Sequence, residues 1–411
     1  MSTQAKNTKV AVISQYSFPY GMAAANRIGA YCRGLVENGV TVDVIIPFQT
    51  DYRAAGAELP TSGCFNGINY HYSYKRYRSS NKFIRGVFSK LKIKYLVGFY
   101  TSFKLIKAIA SEDKYDALIV SSDTFSILAF YNFVASKIGA KSIFIFDEYP
   151  IPIRHKLRDK IPYYKTIVYK KILRKYDAYI SISKNLKDFY CVLSKKPTFI
   201  LPIILDTHKF NIERDATDAG NYICYMGNME LSKDNVDLII KAFSKIADEY
   251  KSLSLDMYGK PRPETKRYLE DLISTLGLED RVYLKGYLHS SCVPKVLANA
   301  YMLVSSQPET RRAVGGFPTK LGEYLSTGVP ALFTNVGENA IYVKDREHVF
   351  FTKPCDVDDY AEKLKFIINN YSYASLVAQQ GKQYVLDNYS SEKQGERLSL
   401  FLLSLCVDKN V

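Results

Sequence analysis

The sequence has no closely spaced cysteine pair, no long apolar run and no histidine cluster, and each absence removes a class of protein. Its seven cysteines, Cys32, Cys64, Cys191, Cys224, Cys292, Cys355 and Cys406, are scattered and odd in number. Neither a zinc cage nor a dithiol centre is expected from them, and a reducing cytoplasm is. The five histidines, His71, His155, His208, His289 and His348, show no ligand spacing, and Asp356 and Asp358 read as the cap of a following helix. No bound metal is expected. The segment from Met1 to Lys6 has no apolar core ahead of the first strand, so it does not read as a secretory signal. The most apolar helical stretch, Phe125 to Ala140, is interrupted by Asn132, Ser136 and Lys137 and is too short for a hydrocarbon layer of about 30 Å. No membrane crossing is expected.

Acidic residues are also scarce, but only in one half. Residues 1–205 hold 31 Lys/Arg against 13 Asp/Glu, whereas residues 206–411 hold 25 against 28. The whole excess of the +15 net charge therefore lies in the first half. Residues 70–107 contain ten basic side chains, among them Lys75, Arg85, Lys104 and Lys107, and no acidic one; Phe83, Phe88, Tyr95, Phe99, Tyr100 and Phe103 are interleaved. Such a surface suits anionic lipid headgroups, each cation near the surface contributing about 1 kcal/mol. A solvated helix face and a nucleic-acid surface are the alternatives. We carry forward the membrane surface as partner and expect no nucleic acid.

A chain of 411 residues exceeds what one core usually holds, so two domains are expected. Strands are expected at 9–13, 41–46, 116–121, 142–146 and 177–182, with helices at 24–38, 84–111, 124–139 and 163–175 between them. After a polar stretch at 206–220 the alternation restarts, with strands near 222–226, 253–258, 281–285, 301–305, 330–334 and 348–352. Helices near 357–370 and 391–406 close the chain. Alternation of this kind predicts α/β architecture, two facing Rossmann-like domains with doubly wound parallel sheets. The expected boundaries are 1–205, 206–390, and a carboxyl-terminal helix, 391–411, packing back on the first domain.

Within that frame the segment from Gly315 to Pro330 carries the sharpest signal. Gly315 and Gly316 permit close approach of a ligand, Pro318 suits the first helical position and Gly328 the helix end. The helix start, with Phe317, Thr319 and Lys320, makes an anion site suited to a diphosphate. Glu323, one turn on, can accept hydrogen bonds from adjacent ribose hydroxyls; a solvated surface helix is the bland alternative. A second segment runs from Tyr225 through Gly227 to Asp237. There Lys233 lies by a helix start, unfavourable to the dipole unless an anion is near. In the first half, Gly21 joins the first strand to its helix without the three-glycine dinucleotide fingerprint. Asp147 and Glu148 directly follow a strand and are candidates for a sugar contact or a proton acceptor.

Taken together these residues resemble the group-one, family-four glycosyltransferases, retaining enzymes of bacterial surface-polysaccharide biosynthesis such as capsule and lipopolysaccharide assembly. The resemblance rests on the Gly21 loop, Ser181–Lys184 before a helix, Leu201–Phe210, Gly227–Lys233, Gly315–Gly328 and Thr334–Glu338. It implies the GT-B fold, a nucleotide-sugar donor, a glycan or lipid-linked acceptor, and no cofactor beyond the donor. It also implies that Lys233 meets the donor diphosphate and Glu323 the ribose, while the loop before Glu323 meets the phosphates and sugar. Two positions depart from the family: Gly315 stands where a glutamate is usual, and Asn228 where arginine is frequent. Diphosphate charge then falls to Lys233, Lys320, or Arg311 and Arg312. The expected protein is cytoplasmic and peripheral at the inner membrane face. A nucleotide-sugar epimerase and a catalytically silent glycan- or nucleotide-binding protein are the rival readings.

Overall fold

The structure, a computed structural model, describes residues 8–20, 23–48, 60–73, 93–122, 124–150, 163–202, 205–206, 209, 220–289, 291–316 and 319–407. They fall into two compact units, one drawn from Met1–Ile204 with Ser391–Val411 and the other from Leu205–Ser390.

The first unit is built from β1 (Lys9–Ser14), α1 (Ala23–Glu37), β2 (Thr41–Ile46), β3 (Ser62–Phe65), β4 (Ile68–Tyr72), α2 (Ile93–Glu112), β5 (Ala117–Ser121), α3 (Phe125–Ile138), β6 (Lys141–Phe146), α4 (Tyr163–Leu173), β7 (Ala178–Ser181), α5 (Lys184–Leu193) and β8 (Thr198–Ile200). Its sheet has the order β3-β4-β2-β1-β5-β6-β7-β8. Central strands such as β1 and β5 are buried along their whole length, because helices cover both faces of a parallel sheet and leave no polar side. One edge departs from the expected all-parallel pattern: β3 pairs antiparallel with β4. The connecting turn puts Asn66 and Gly67 at positive φ, the left-handed geometry of a tight hairpin.

The second unit contains β9 (Tyr222–Met226), α6 (Leu231–Asp234), α7 (Val236–Ser244), β10 (Ser254–Tyr258), α8 (Pro263–Thr275), β11 (Val282–Gly286), α9 (Val293–Ala298), β12 (Met302–Ser305), α10 (Arg311–Gly315), α11 (Thr319–Ser326), β13 (Ala331–Thr334), α12 (Asn339–Tyr342), β14 (Phe350–Thr352), α13 (Val357–Asn369) and α14 (Tyr371–Tyr389). All pairings in its sheet, ordered β11-β10-β9-β12-β13-β14, are parallel. The core gathers Ile223, Ile239, Ile240, Phe243, Leu255 and Met257 beneath β9 and β10. Strand order reverses between β9 and β12, the switch point at whose carboxyl end doubly wound sheets open a crevice. Helix α14 is an addition to the expected pattern. Its buried residues, Ala374, Val377, Ala378, Gly381 and Val385, are mostly small, so they carry little apolar periodicity.

The chain closes with α15 (Ser391–Val407), which packs on α1 of the first unit. Leu398 and Leu402 join the core of Val10, Ile28 and Leu35, and Phe401 stacks on Phe199 with ring centroids 5.4 Å apart. The two helices meet at glycines: a Cβ on Gly34 would overlap the Ser391 carbonyl, and one on Gly395 the Gly34 backbone. Among the described residues no helix is long and apolar enough to cross a membrane.

Because no side chain fits at this crossing, Gly395→Leu should lower the unfolding free energy by about 2 kcal/mol or more, read from chemical denaturation. Leu400→Ala, on the exposed side of the same helix, should leave it nearly unchanged; equal stability of both variants would place the crossing elsewhere.

Candidate functional site

At the switch point of the second sheet, β9 ends at Met226 and the chain turns through Gly227 into α6. The Met226 N–H donates to the Tyr324 hydroxyl at 2.9 Å, which ties this strand end to α11. A Cβ at Gly227 would lie 2.5 Å from the Tyr225 hydroxyl and would overlap Lys320 Nζ. A side chain at Gly227 would therefore displace the end of the lysine that reaches over from α11. Lys320 donates to Asp234 Oδ1 at 2.9 Å and to Tyr225 Oη at 3.2 Å, and its ammonium lies 4.5 Å from the Tyr225 ring centroid. Lys233, the residue before Asp234, is half-buried, and its charge acts on the same carboxylate.

Glu323 occupies the next turn of α11 and is half-buried. Removal from water pushes its carboxyl up to about 7, against the opposing pull of Lys209 and Lys320. Gly316 terminates α10, its N–H bonded to the Arg312 carbonyl at 2.8 Å, and Thr319 opens α11. Phe317 and Pro318 lie outside the described residues, as does Gly21. Gly328 ends the helical stretch at φ 70°. Of the two arginines considered for phosphate, Arg312 faces Glu230 at 3.7 Å. The structure thus gathers Gly227, Lys233, Lys320 and Glu323 on two neighbouring segments of one sheet edge. Sequence reasoning passed over Asp234, Tyr225, Tyr324 and Lys209. Only Asp234 carried a signal, as an acid directly beside the lysine singled out.

In the first unit, Asp147 and Glu148 follow β6. Asp147 forms an ion pair with Arg27 of α1, and both side chains are largely buried. Burial depresses the Arg27 guanidinium, but Asp147, Tyr31 and Glu148 more than offset this and leave it raised. A guanidinium in contact favours the ionised, hydrogen-bond-accepting form of a carboxylate. Ser183 caps α5 by accepting from the Leu186 N–H at 3.1 Å, which fixes the Ser181–Lys184 turn at the same edge.

Residues 208–398 match the family model described as glycosyl transferases group 1. An uncharacterized glycosyltransferase of Methanocaldococcus jannaschii is 21% identical over 226 residues, 51% of this chain and 56% of that protein. The chain spans about half or less of the length of the curated relatives it matches. Among solved structures, sucrose-phosphate synthase from Thermosynechococcus elongatus superposes with a TM-score of 0.71 at 15% identity, covering 98% of this chain and 100% of that one. Anabaena HepE in complex with UDP and glucose gives 0.65 at 13%, covering 97% and 100%. At these identities the likeness is one of fold: two parallel-sheet domains of the GT-B type. The group 1 match covers the second unit and the start of α15, and these neighbours share the fold of the whole chain.

The raised Glu323 carboxyl has a defined pH signature. Its folded value, about 7, lies above the ordinary 4.5, so in that window the native state holds a proton the unfolded chain has lost. The associated stability is fully present below pH 4.5 and is lost as pH rises through about 7. Thermal unfolding of the wild type should therefore fall relative to Glu323→Gln between these pH values and run parallel above them. A constant offset throughout would show that folding does not shift the Glu323 carboxyl.

Proposed function

We propose that the chain is a retaining glycosyltransferase that moves a sugar from a nucleoside-diphosphate sugar to a glycan or lipid-linked acceptor of surface-polysaccharide assembly. The observation that carries this reading is that α6, which bears Lys233, and α11, which bears Glu323, meet beside the Gly227 strand end, inside the segment that matches the group 1 model. Lys233 and the first-turn N–H groups of α11 neutralise the diphosphate, and ionised Glu323 accepts from two ribose hydroxyls. The acceptor oxygen attacks the anomeric carbon on the face from which the nucleotide departs. The bond to the phosphate oxygen breaks, and that oxygen takes the acceptor's proton. The protein acts by positioning and charge, and this mechanism assigns no role to a metal. Asp147 and Glu148 orient acceptor hydroxyls at the edge of the first sheet. That HepE is described with UDP and glucose makes UDP the first nucleotide to test.

The same proposal places the protein on the inner membrane face through its basic first unit. Leu96, Val97 and Tyr100 are exposed on α2, Phe133 on α3, and Ile167 and Val168 on α4. Lys104 lies 4.7 Å from the Tyr100 ring and Lys137 5.4 Å from that of Phe133. Exposed apolar side chains beside cations suit an anionic lipid surface. The part of the basic stretch from Lys75 to Lys92 lies outside the described residues.

A thermal-shift screen against UDP, GDP and ADP should show stabilisation by one of them, reduced in Glu323→Ala and in Lys233→Ala without loss of fold. At one hundred times its dissociation constant a ligand adds about 2.7 kcal/mol, well within detection. No response to any diphosphate would return the chain to the silent-protein reading. In flotation assays the protein should rise with phosphatidylglycerol vesicles but not with phosphatidylcholine vesicles, and Tyr100→Glu should weaken the association. Equal behaviour with both lipids would remove the membrane assignment.

A further inference from the structure

Lys320 lies in the first turn of the helix that carries Glu323, yet its ammonium is directed at protein groups: Asp234 Oδ1 at 2.9 Å and Tyr225 Oη at 3.2 Å. Asp234 closes the short turn that carries Lys233, and its side chain is only 4% exposed. The second oxygen of that carboxylate accepts from the Glu230 N–H at 3.3 Å. Burial alone would push the Asp234 carboxyl up, but Lys320 and, to a smaller extent, Lys233 and the Glu230 backbone reverse this and hold it below the usual range. For Lys320 to reach a bound anion, it would have to leave this buried carboxylate without its main partner, an arrangement that is strongly unfavourable. Gly227 supplies the space in which the ammonium sits, since any side chain there would collide with it. The pair joins segments 86 residues apart in sequence, one bearing Lys233 and the other Glu323.

We propose that Lys320 is a positioning residue and not a diphosphate ligand: acting through Asp234, it is a buried strut that holds the Lys233 turn in register with the Glu323 helix. The functional half of this inference rests on the donor-site reading above; the structural half does not. Its chemistry is that of a fixed spacer. The lysine charge is consumed inside the protein, and the charge presented to the ligand is that of Lys233, whose place the strut sets.

The test uses the full chain with Asp234→Asn, Lys320→Met and the double variant, and UDP as the calorimetric probe. Each single variant is expected to weaken UDP binding about tenfold and the double no further, because each removes the same strut. The further loss caused by Lys233→Ala should shrink to under about threefold in the Lys320→Met background, a coupling that a merely structural lysine would not produce. If Lys320 is itself a phosphate ligand, Asp234→Asn frees it and tightens UDP binding while Lys320→Met weakens it, and the proposal is overturned. A second readout needs no ligand. The N–H groups of Lys233, Asp234 and Asn235 bond to Glu230 and Leu231 carbonyls, and their hydrogen-exchange protection should drop in both single variants while that of β9 holds. Unchanged protection refutes the strut even if the wild type binds no nucleotide, whereas lost protection without nucleotide binding supports the strut and removes only the donor-site reading. Should a single variant misfold, the double, which leaves no unpaired charge, gives the same exchange comparison.

Discussion

Parallel pairing is the constraint from which the rest of this protein follows. A strand that must run alongside its predecessor in the same direction cannot be reached by a tight turn, so each return needs a covering helix. Every strand of the second sheet obeys this. All strand ends of one polarity then lie along a single edge, and the order reverses there between β9 and β12, the point at which doubly wound sheets open a crevice. Gly227, the α6 turn and the start of α11 stand at that edge because the sheet leaves them nowhere else to go. The chemistry of the site is a choice of side chains on positions that backbone hydrogen bonding has already allotted.

The same constraint explains what could be read in the sequence. Strands buried on both faces appear as short unbroken apolar runs, Val10–Ile13 and Leu303–Val304 among them, and these located most strands of both sheets within one or two residues. The β3–β4 hairpin escaped notice because Gly63, Cys64 and Asn69 give its strands no sustained apolar pattern, although Asn66-Gly67 is a strong hairpin signal by itself. Helix α14 escaped for a different reason. It packs through alanine and glycine, and a Cβ at Gly381 would overlap the His348 carbonyl, so close backbone approach replaces the large side chains that periodicity detects.

For the candidate site, the sequence offered single residues but not the partners they have in the structure. Lys233 and Glu323 could be singled out because each sits at a telling local position, beside a helix start or one turn into a helix. That Lys320 meets Tyr225 and Asp234, residues 95 and 86 positions away, depends on which strand neighbours which helix. The ion pair between Arg27 and Asp147 is of the same kind: Asp147 was visible as a charge after a strand, while the guanidinium opposite it belongs to another βα unit. Local sequence reveals which groups are available, and tertiary packing decides which of them are already engaged.

The return of α15 to α1 has a consequence for the order of events at the ribosome. The first unit's core includes Leu398 and Leu402, so the half of the chain made first lacks part of its interior until α15 has emerged. The second unit, by contrast, is complete once α14 has cleared the exit tunnel. Vectorial synthesis therefore favours an inverted sequence in which the later half finishes first and the earlier half waits with the α1 face around Gly34 uncovered. A nascent chain stalled before residue 391 would carry a finished second unit and an unfinished first one, and chaperone engagement at that stage would be expected at α1.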